Sequence, residues 1–470
     1  RWPSPCAGGV ASVLAMPSRD DDAFRLAVLL GEALIRGGAS SAATTTCLQR
    51  ALRSAGVHDA TVGVTMGQII LSRPGRGTSA AITHVSEAPP GSLDLELRRR
   101  ITAMLDDLAQ GRRTVRECLA ELESREADGP GSAQHTGARH AIPAAGLSLL
   151  GVGFCLLMGG TAATTLCAGV LSVAAYAAFA AMQHLRSPGI FSLAAAGLTA
   201  VLGATAATAV IDDAQTAPCI VAALAAWLAG ITAYGAAQDM ITGWYLSATG
   251  RLMDVLTRTA GLVFGVALGI HLLEPLLGRD PGFLETLQTD GSRWVPSIVG
   301  AVLVSSGFAF SAGGRGRVLA SLAVFGGLVQ VGVLSLGEMG VSSYAATLAA
   351  SVITGGMCVV LTRALGVSSN ASMTVVLLPL FPGMYVYQGV LGIIFSVEGA
   401  ADALLQGAIT AFCLSVGGLL GQYLASEALW ATRARQFARA HPGRTFRKEM
   451  PVEQNARDIM VPVFSRPFSQ

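Results

Sequence analysis

Apolar positions follow two regimes along the chain, and the change falls near residue 140. Upstream they recur in short amphipathic registers. Phe24 to Ile35 and Thr46 to Ser54 carry helical spacing; Ala60 to Thr65, Gln68 to Ser72 and Ala80 to Val85 then alternate as strands, with a turn at Pro74, Gly75 and Arg76. Leu93 to Gln110 and Thr114 to Arg125 return to helical spacing with abundant charge. The order predicts a small α+β domain over residues 22–126, after a disordered stretch 1–21 in which Met16 could be the true start. The apolar stretch Ala7 to Met16 contains Gly8 and Gly9 and is followed by Pro17, so it is not read as a signal peptide.

Residues 127–140 form a Gly/Pro/polar linker, after which long apolar runs alternate with short polar breaks. A span needs about 20 residues to cross a hydrocarbon core of about 30 Å. Ten runs read as spans, the sixth of them short. The first five, within 141–273, are Ala141 to Met158, Ala162 to Ala181, Ile190 to Ile211, Pro218 to Ile241 and Val255 to Leu273. A polar loop, 274–296, separates them from the second five, within 297–427: Ser297 to Ala312, Val318 to Leu336, Tyr344 to Leu365, Met373 to Phe395 and Ala403 to Leu424. A basic tail, 428–470, follows. The expected fold is an all-α polytopic membrane domain of about ten transmembrane helices, preceded by the small α+β domain.

Composition sharpens this. Only 13% of the 470 residues are charged and 52% are hydrophobic, with a mean hydropathy of +0.54, whereas a soluble domain carries about 25% charged residues. A net charge of +2 argues against a nucleic-acid partner. The 8 cysteines show no CxxC, and no His/Cys/acid spacing suggests a metal, so neither metal nor cofactor is expected. Arginines set the orientation, because positive residues in short loops stay cytoplasmic. With the N-terminal domain inside, Arg186, Arg251, Arg315, Arg317, Arg363 and the tail fall on the cytoplasmic side, and Asp212, Asp213, Glu274, Glu338, Glu398 and Asp402 outside. The expectation is a multi-pass protein of a bacterial inner membrane with both termini cytoplasmic.

Five spans per half make the halves oppositely oriented, which predicts two inverted five-helix repeats. Trp227 to Tyr234 in the fourth span aligns without gaps on Leu380 to Tyr387 in the ninth, placing Gly230 on Gly383 and Tyr234 on Tyr387. Glycine and proline inside a span free backbone groups that a ligand can satisfy, although singly each more simply kinks or packs a helix.

These residues resemble the threonine/serine exporter (ThrE-like) family. The resemblance rests on Gly37-Gly38-Ala39-Ser40-Ser41, Ala88-Pro89-Pro90-Gly91-Ser92-Leu93-Asp94-Leu95 and Gly159-Gly160, and above all on Gln238-Asp239-Met240-Ile241-Thr242-Gly243, Ser247-Ala248-Thr249-Gly250 and Leu378-Pro379-Leu380-Phe381-Pro382-Gly383. It implies a secondary transporter, not an enzyme, that exports threonine and serine with the proton gradient; relatives linked to dicarboxylates keep a succinate-type exporter as an alternative. Where the family commonly has Pro-Gly, this chain has Ala229 before Gly230, which implies a softer break.

The candidate pathway comprises Gly230, Tyr234, Gln238, Asp239, Gly243, Pro379, Pro382, Gly383, Tyr385, Tyr387 and Gln388. Asp239 would bind substrate ammonium or a proton, since an intramembrane carboxylate usually faces a pathway or a partner; a solvated helix end is the plainer reading. The tyrosines and glutamines would meet a zwitterion's polar groups, with interfacial tyrosine as the competing explanation. Arg251 and Asp254 are expected to share an inside loop and pair at the surface, and His271 to be interfacial. Ser40, Ser41 and Thr44 to Thr46 with His58 or His84 would be needed for a membrane-anchored hydrolase or sensor, but no GxSxG is present and helix capping explains the hydroxyls more simply. Small-molecule substrate, proton and lipid bilayer are the expected partners, and homo-oligomerisation is left open.

Overall fold

The computed structural model describes residues 19–65, 67–75, 81–88, 91–127, 136–228, 230–277 and 294–440. Expectations for most of 1–21, for the linker between 128 and 135, for most of the central loop 274–296, and for the tail beyond 440 lie outside them.

The amino-terminal part runs α1 (Arg19–Arg36), α2 (Ser41–Ser54), β1 (Thr61–Thr65), β2 (Gln68–Arg73), β3 (Ile82–Glu87), α3 (Leu95–Ala109) and α4 (Val115–Ala127). The strands form one antiparallel sheet in the order β1-β2-β3. One hydrophobic core, with Leu26, Leu30, Leu48, Leu52, Ile69 and Leu71 at its centre, joins these helices to the inner face of the sheet. Helix α2 begins five residues before the apolar spacing predicted, because the Ser40 side chain accepts from the Ala43 amide and starts the helix there. Strand β3 lies two residues later than expected, and its residues are almost all exposed, so burial gave no alternation to read.

Among the described residues twelve α-helices follow: α5 (Thr136–Leu157), α6 (Ala162–His184), α7 (Gly189–Val210), α8 (Thr216–Leu224), α9 (Gly230–Ile241), α10 (Tyr245–Leu277), α11 (Trp294–Ser311), α12 (Gly316–Glu338), α13 (Ser343–Leu365), α14 (Ser369–Val376), α15 (Gly383–Ile394) and α16 (Ala400–Ala440). Eight are continuous and apolar enough to cross a membrane, and α14 with the segment Leu378–Ile393 makes a ninth, bent by 52°. Large apolar side chains such as Leu166, Val170, Phe191 and Val324 stand exposed on the outside of the bundle, as lipid contact requires. The chain is a polytopic membrane protein.

Two of the ten expected spans are therefore not single helices. The fourth is split into α8 and α9, with residues 225–228 turned between them, and the ninth into α14, a 3₁₀ turn Leu378–Leu380 and α15. At the second break Pro379 and Pro382 lack the amides that would continue α14, and Pro382 precedes the first residue of α15. A further correction concerns the fifth span, which was expected to start at Val255. Helix α10 begins ten residues earlier, so Arg251 lies in a helix and not in a loop.

Contacts between helices recur. Helix α5 packs against α11, α7 against α10 as α13 against α16, while α9 touches α10 and α16 just as α15 touches α16 and α10. On the α5–α11 face, Gly146 meets Gly307 and Gly153 meets Gly300, so the two helices cross antiparallel at backbone distance.

Candidate functional site

The two breaks meet. A Cβ built on Gly230 would stand 3.0 Å from the Gly383 nitrogen and 3.1 Å from Phe381 Cβ, and one on Gly383 would stand 2.8 Å from Leu228 Cβ. Only residues without side chains let the two interrupted backbones approach so closely. Around this contact each half reaches into the other. Tyr234 of α9 packs with Cys358, Met373, Leu377 and Leu414, and stacks on Phe381 at a ring separation of 5.0 Å. Tyr387 of α15 packs with Trp227, Leu171, Cys219 and Leu262. Both tyrosines are buried, and the Tyr234 hydroxyl has no hydrogen-bond partner among the described residues.

One to two turns beyond Tyr234, α9 carries Gln238 and Asp239, both buried. Asp239 is only 1% exposed, which excludes an ordinary solvated helix end. Its Oδ2 accepts from Arg251 Nε at 2.8 Å, whereas Oδ1, like Gln238 Nε2, has no partner among the described residues. The expected Arg251–Asp254 surface pair is absent: Arg251 turns inward, and Asp254 instead accepts from Arg258 one turn along α10 at 2.7 Å. An i,i+4 carboxylate–arginine pair on a helix surface satisfies Asp254 without it. Burying Asp239 is tolerable because the guanidinium neutralises it.

Arg251 also ties this pair to the amino-terminal part. Its Nη2 donates to the Ala39 carbonyl at 3.3 Å, and Ser41 Oγ lies 2.8 Å from Ser247 Oγ. Leu95 donates its amide to the Ala312 carbonyl at 2.8 Å and buries its side chain against Ala309, Leu322 and Val367. Within the amino-terminal part, the segments 37–41 and 91–95 touch each other. Asp94 donates its amide to the Gly37 carbonyl, and a side chain on Gly91 would collide with the Arg36 carbonyl. The buried Arg98 donates to Gly37 O at 3.3 Å. Burial pushes its guanidinium down to about 10, and the neighbouring Arg251 acts in the same direction. The two glycine- and proline-bearing motifs of this part are thus the docking surface for the helical bundle.

Other candidates fall elsewhere. Gly243 takes φ +81° and closes α9, with the Trp244 amide donating to the Asp239 carbonyl; a chain-reversal role accounts for it. Tyr385 is 37% exposed and packs by its Cβ near Gly407, away from the Tyr234 cluster, and Gln388 is half-buried one residue past Tyr387. His271 is on the exposed side of α10. Ser40 and Ser41 spend their side chains on Ala43 and Ser247, not on His58 or His84, so the hydrolase reading has no support. A half-open apolar groove of ≈ 180 Å³ between α12, α13 and α14 offers Thr354 as its main polar group, and that hydroxyl already donates to Ala350. It lacks the convergent polar groups of a solute site. Sequence reasoning left out Asn370 and Gln422, whose side chains are hydrogen-bonded at 2.9 Å inside the bundle. A polar amide within an apolar helix was the available signal.

A bundle of membrane-crossing helices in which two broken segments cross, beside a buried carboxylate with a free oxygen, defines a transporter architecture. The family model described as "Putative threonine/serine exporter" matches residues 25–273, and the chain belongs to that family, one of transporters and not enzymes. It is 25% identical over 414 residues to the "Probable threonine/serine exporter" of Mycobacterium tuberculosis, covering 85% of this chain and 76% of that protein. It is likewise 25% identical over 460 residues to the "Threonine/serine exporter" of Corynebacterium glutamicum, covering 92% and 88%. No solved structure matches the chain.

Proposed function

We propose that the protein exports small amino acids, threonine and serine, from the cytoplasm through a passage at the crossing of the two interrupted spans, driven by the proton gradient. The crossing of Gly230 and Gly383 carries this reading, because it brings two interrupted backbones together, with a buried tyrosine one turn into each helix that resumes. The names of the two relatives supply the substrate. Asp239, with one oxygen committed to Arg251 and one free, is the group for substrate ammonium or a proton.

In this reading residues 141–273 and 297–427 are inverted repeats. Support comes from helix boundaries that recur 153 or 154 positions apart: 162 and 316, 189 and 343, 216 and 369, 230 and 383. The antiparallel glycine contacts of α5 and α11 agree with a two-fold axis between the halves. Residues 22–126 form a cytoplasmic domain. The end of the bundle it caps also carries Arg186, Arg251, Arg315 and Arg317, in keeping with positive residues inside.

Proteoliposomes containing the full chain and loaded with labelled threonine or serine provide the test. Saturable efflux that quickens when a proton gradient is imposed is expected. Efflux no faster than from loaded vesicles without the protein overturns the reading, and release of succinate but not threonine, from parallel vesicles loaded with succinate, replaces it with the dicarboxylate alternative.

A further inference from the structure

If the halves repeat, positions that differ chemically between them mark what the common architecture does not need. Tyr234 has its counterpart in Tyr387, 153 positions on, as does Gly230 in Gly383. Other polar groups have none. Gln238 and Asp239 correspond to Leu391 and Gly392. Conversely Asn370, second residue of α14, corresponds to Ala217, second residue of α8, and Gln422 on α16, whose backbone faces Gly355 as that of Val266 faces Gly197, corresponds to Val266 on α10. The same helix packing is therefore achieved in the other half with apolar residues.

The second-half amides lie one turn along α16 from Gly418, which faces the Tyr234 hydroxyl. Gln422 Nε2 donates to Asn370 Oδ1 at 2.9 Å and lies 3.7 Å from Met373 Sδ, a weak acceptor. Gly418, one turn before Gln422, lets Met373 and Tyr234 pack directly on α16: a Cβ there would stand 2.7 Å from Met373 Sδ and 3.5 Å from the Tyr234 hydroxyl. Ser415 adds a hydrogen bond to the Tyr234 carbonyl at 3.1 Å, which fixes α9 against α16. Nearby on α14, the buried Ser372 hydroxyl has no partner among the described residues. The buried Tyr234 and Ser372 hydroxyls therefore forgo water without a protein partner among the described residues, beside an amide pair that is itself buried at Gln422.

We infer that Asn370, Gln422 and the Tyr234 hydroxyl form a neutral subsite that takes the side-chain hydroxyl of the transported amino acid. An alcohol donates one hydrogen bond and accepts up to two, and a carboxamide pair with a phenol offers both complements without a charge. Met373, packed beside the same groups, gives a polarisable apolar surface for the rest of a small side chain. The inference rests on the amino-acid exporter reading and assigns to it the element that separates hydroxy amino acids from their apolar isosteres.

Valine has nearly the shape of threonine but carries a methyl where threonine carries the hydroxyl. Binding of labelled threonine to the purified full chain in nanodiscs, with valine as competitor, reads the discrimination directly. The wild type is expected to prefer threonine about tenfold or more, and Gln422→Met and Asn370→Leu to bring the ratio to within about threefold, as loss of a hydrogen bond to the hydroxyl requires. Should Gln422→Met not fold, Gln422→Asn retracts the amide by one methylene and reads the same ratio. A preference left intact, or threonine and valine weakened by equal factors, overturns the subsite while leaving the exporter reading in place. Binding of neither amino acid by the wild type overturns both.

Discussion

Gly230 and Gly383 stand against each other at the centre of the bundle, each the first residue of the helix that resumes after a break. Alanine normally favours a helix over glycine by about 1 kcal/mol, but at these positions the new Cβ meets a backbone nitrogen at 3.0 Å or Leu228 Cβ at 2.8 Å. Overpacking costs about 1–3 kcal/mol and decides the sign. Gly383→Ala is expected to lower the thermal unfolding midpoint in detergent and Gly383→Val to lower it further, with threonine efflux falling in the same order. Unchanged stability in both would show that the breaks do not touch.

The Asp239–Arg251 pair is buried on the carboxylate side, so deleting one partner leaves a charge without compensation. Arg251→Ala is expected to cost about 3–5 kcal/mol of stability. The double variant Asp239→Asn, Arg251→Gln should recover most of that loss, yet remain without transport if the carboxylate carries substrate or proton. Thermal midpoints and efflux measured on the singles and the double separate these two roles.

Ser41 and Ser247 bring the amino-terminal part and α10 within 2.8 Å, so the pair Ser41→Cys, Ser247→Cys should cross-link on mild oxidation without a change in either fold. Protease cleavage between residues 128 and 135 would report it. The two fragments are expected to migrate together unless reduced. Failure to cross-link would contradict this docking.

Glu96 is the amino-terminal carboxylate most affected by its surroundings: a hydrogen bond from Arg99, with help from Arg100, lowers it to about 2. Its folded value lies below its unfolded one, so its contribution is complete above the ordinary carboxylate range near 4.5 and is lost as pH falls toward about 2. Because the pairs are largely exposed, the effect is small. Glu96→Gln is expected to flatten slightly the fall in stability between pH 4.5 and 2, read by thermal melts, and to leave stability near pH 7 lowered by a few tenths of a kcal/mol at most.

Much of the fold was legible because long apolar runs must become helices in a membrane. The boundaries of α6, α7, α12 and α13 agree with the predicted spans within a few residues. The glycine and proline positions at 230, 379, 382 and 383 marked where two helices stop. What could not be read was three-dimensional. Arg251 looks like a loop arginine until α10 is seen to start at Tyr245 and turn that residue toward Asp239. Asn370 and Gln422 are 52 residues apart in sequence, and nothing in either segment announces the other. Tyr385 and Tyr387 are both pathway candidates in the sequence, with only Tyr387 aligned on Tyr234, and two residues of helix place them on different faces, one exposed and one buried.

The claim that most depends on structure is that solute passes where the broken spans cross. In a background with its native cysteines replaced, single cysteines at Tyr234 and Tyr387 should react with a small water-soluble thiol reagent during turnover, and excess threonine should slow both reactions. Labelling of neither site by reagent from either side, in vesicles that still release threonine, would contradict a passage at Gly230 and Gly383.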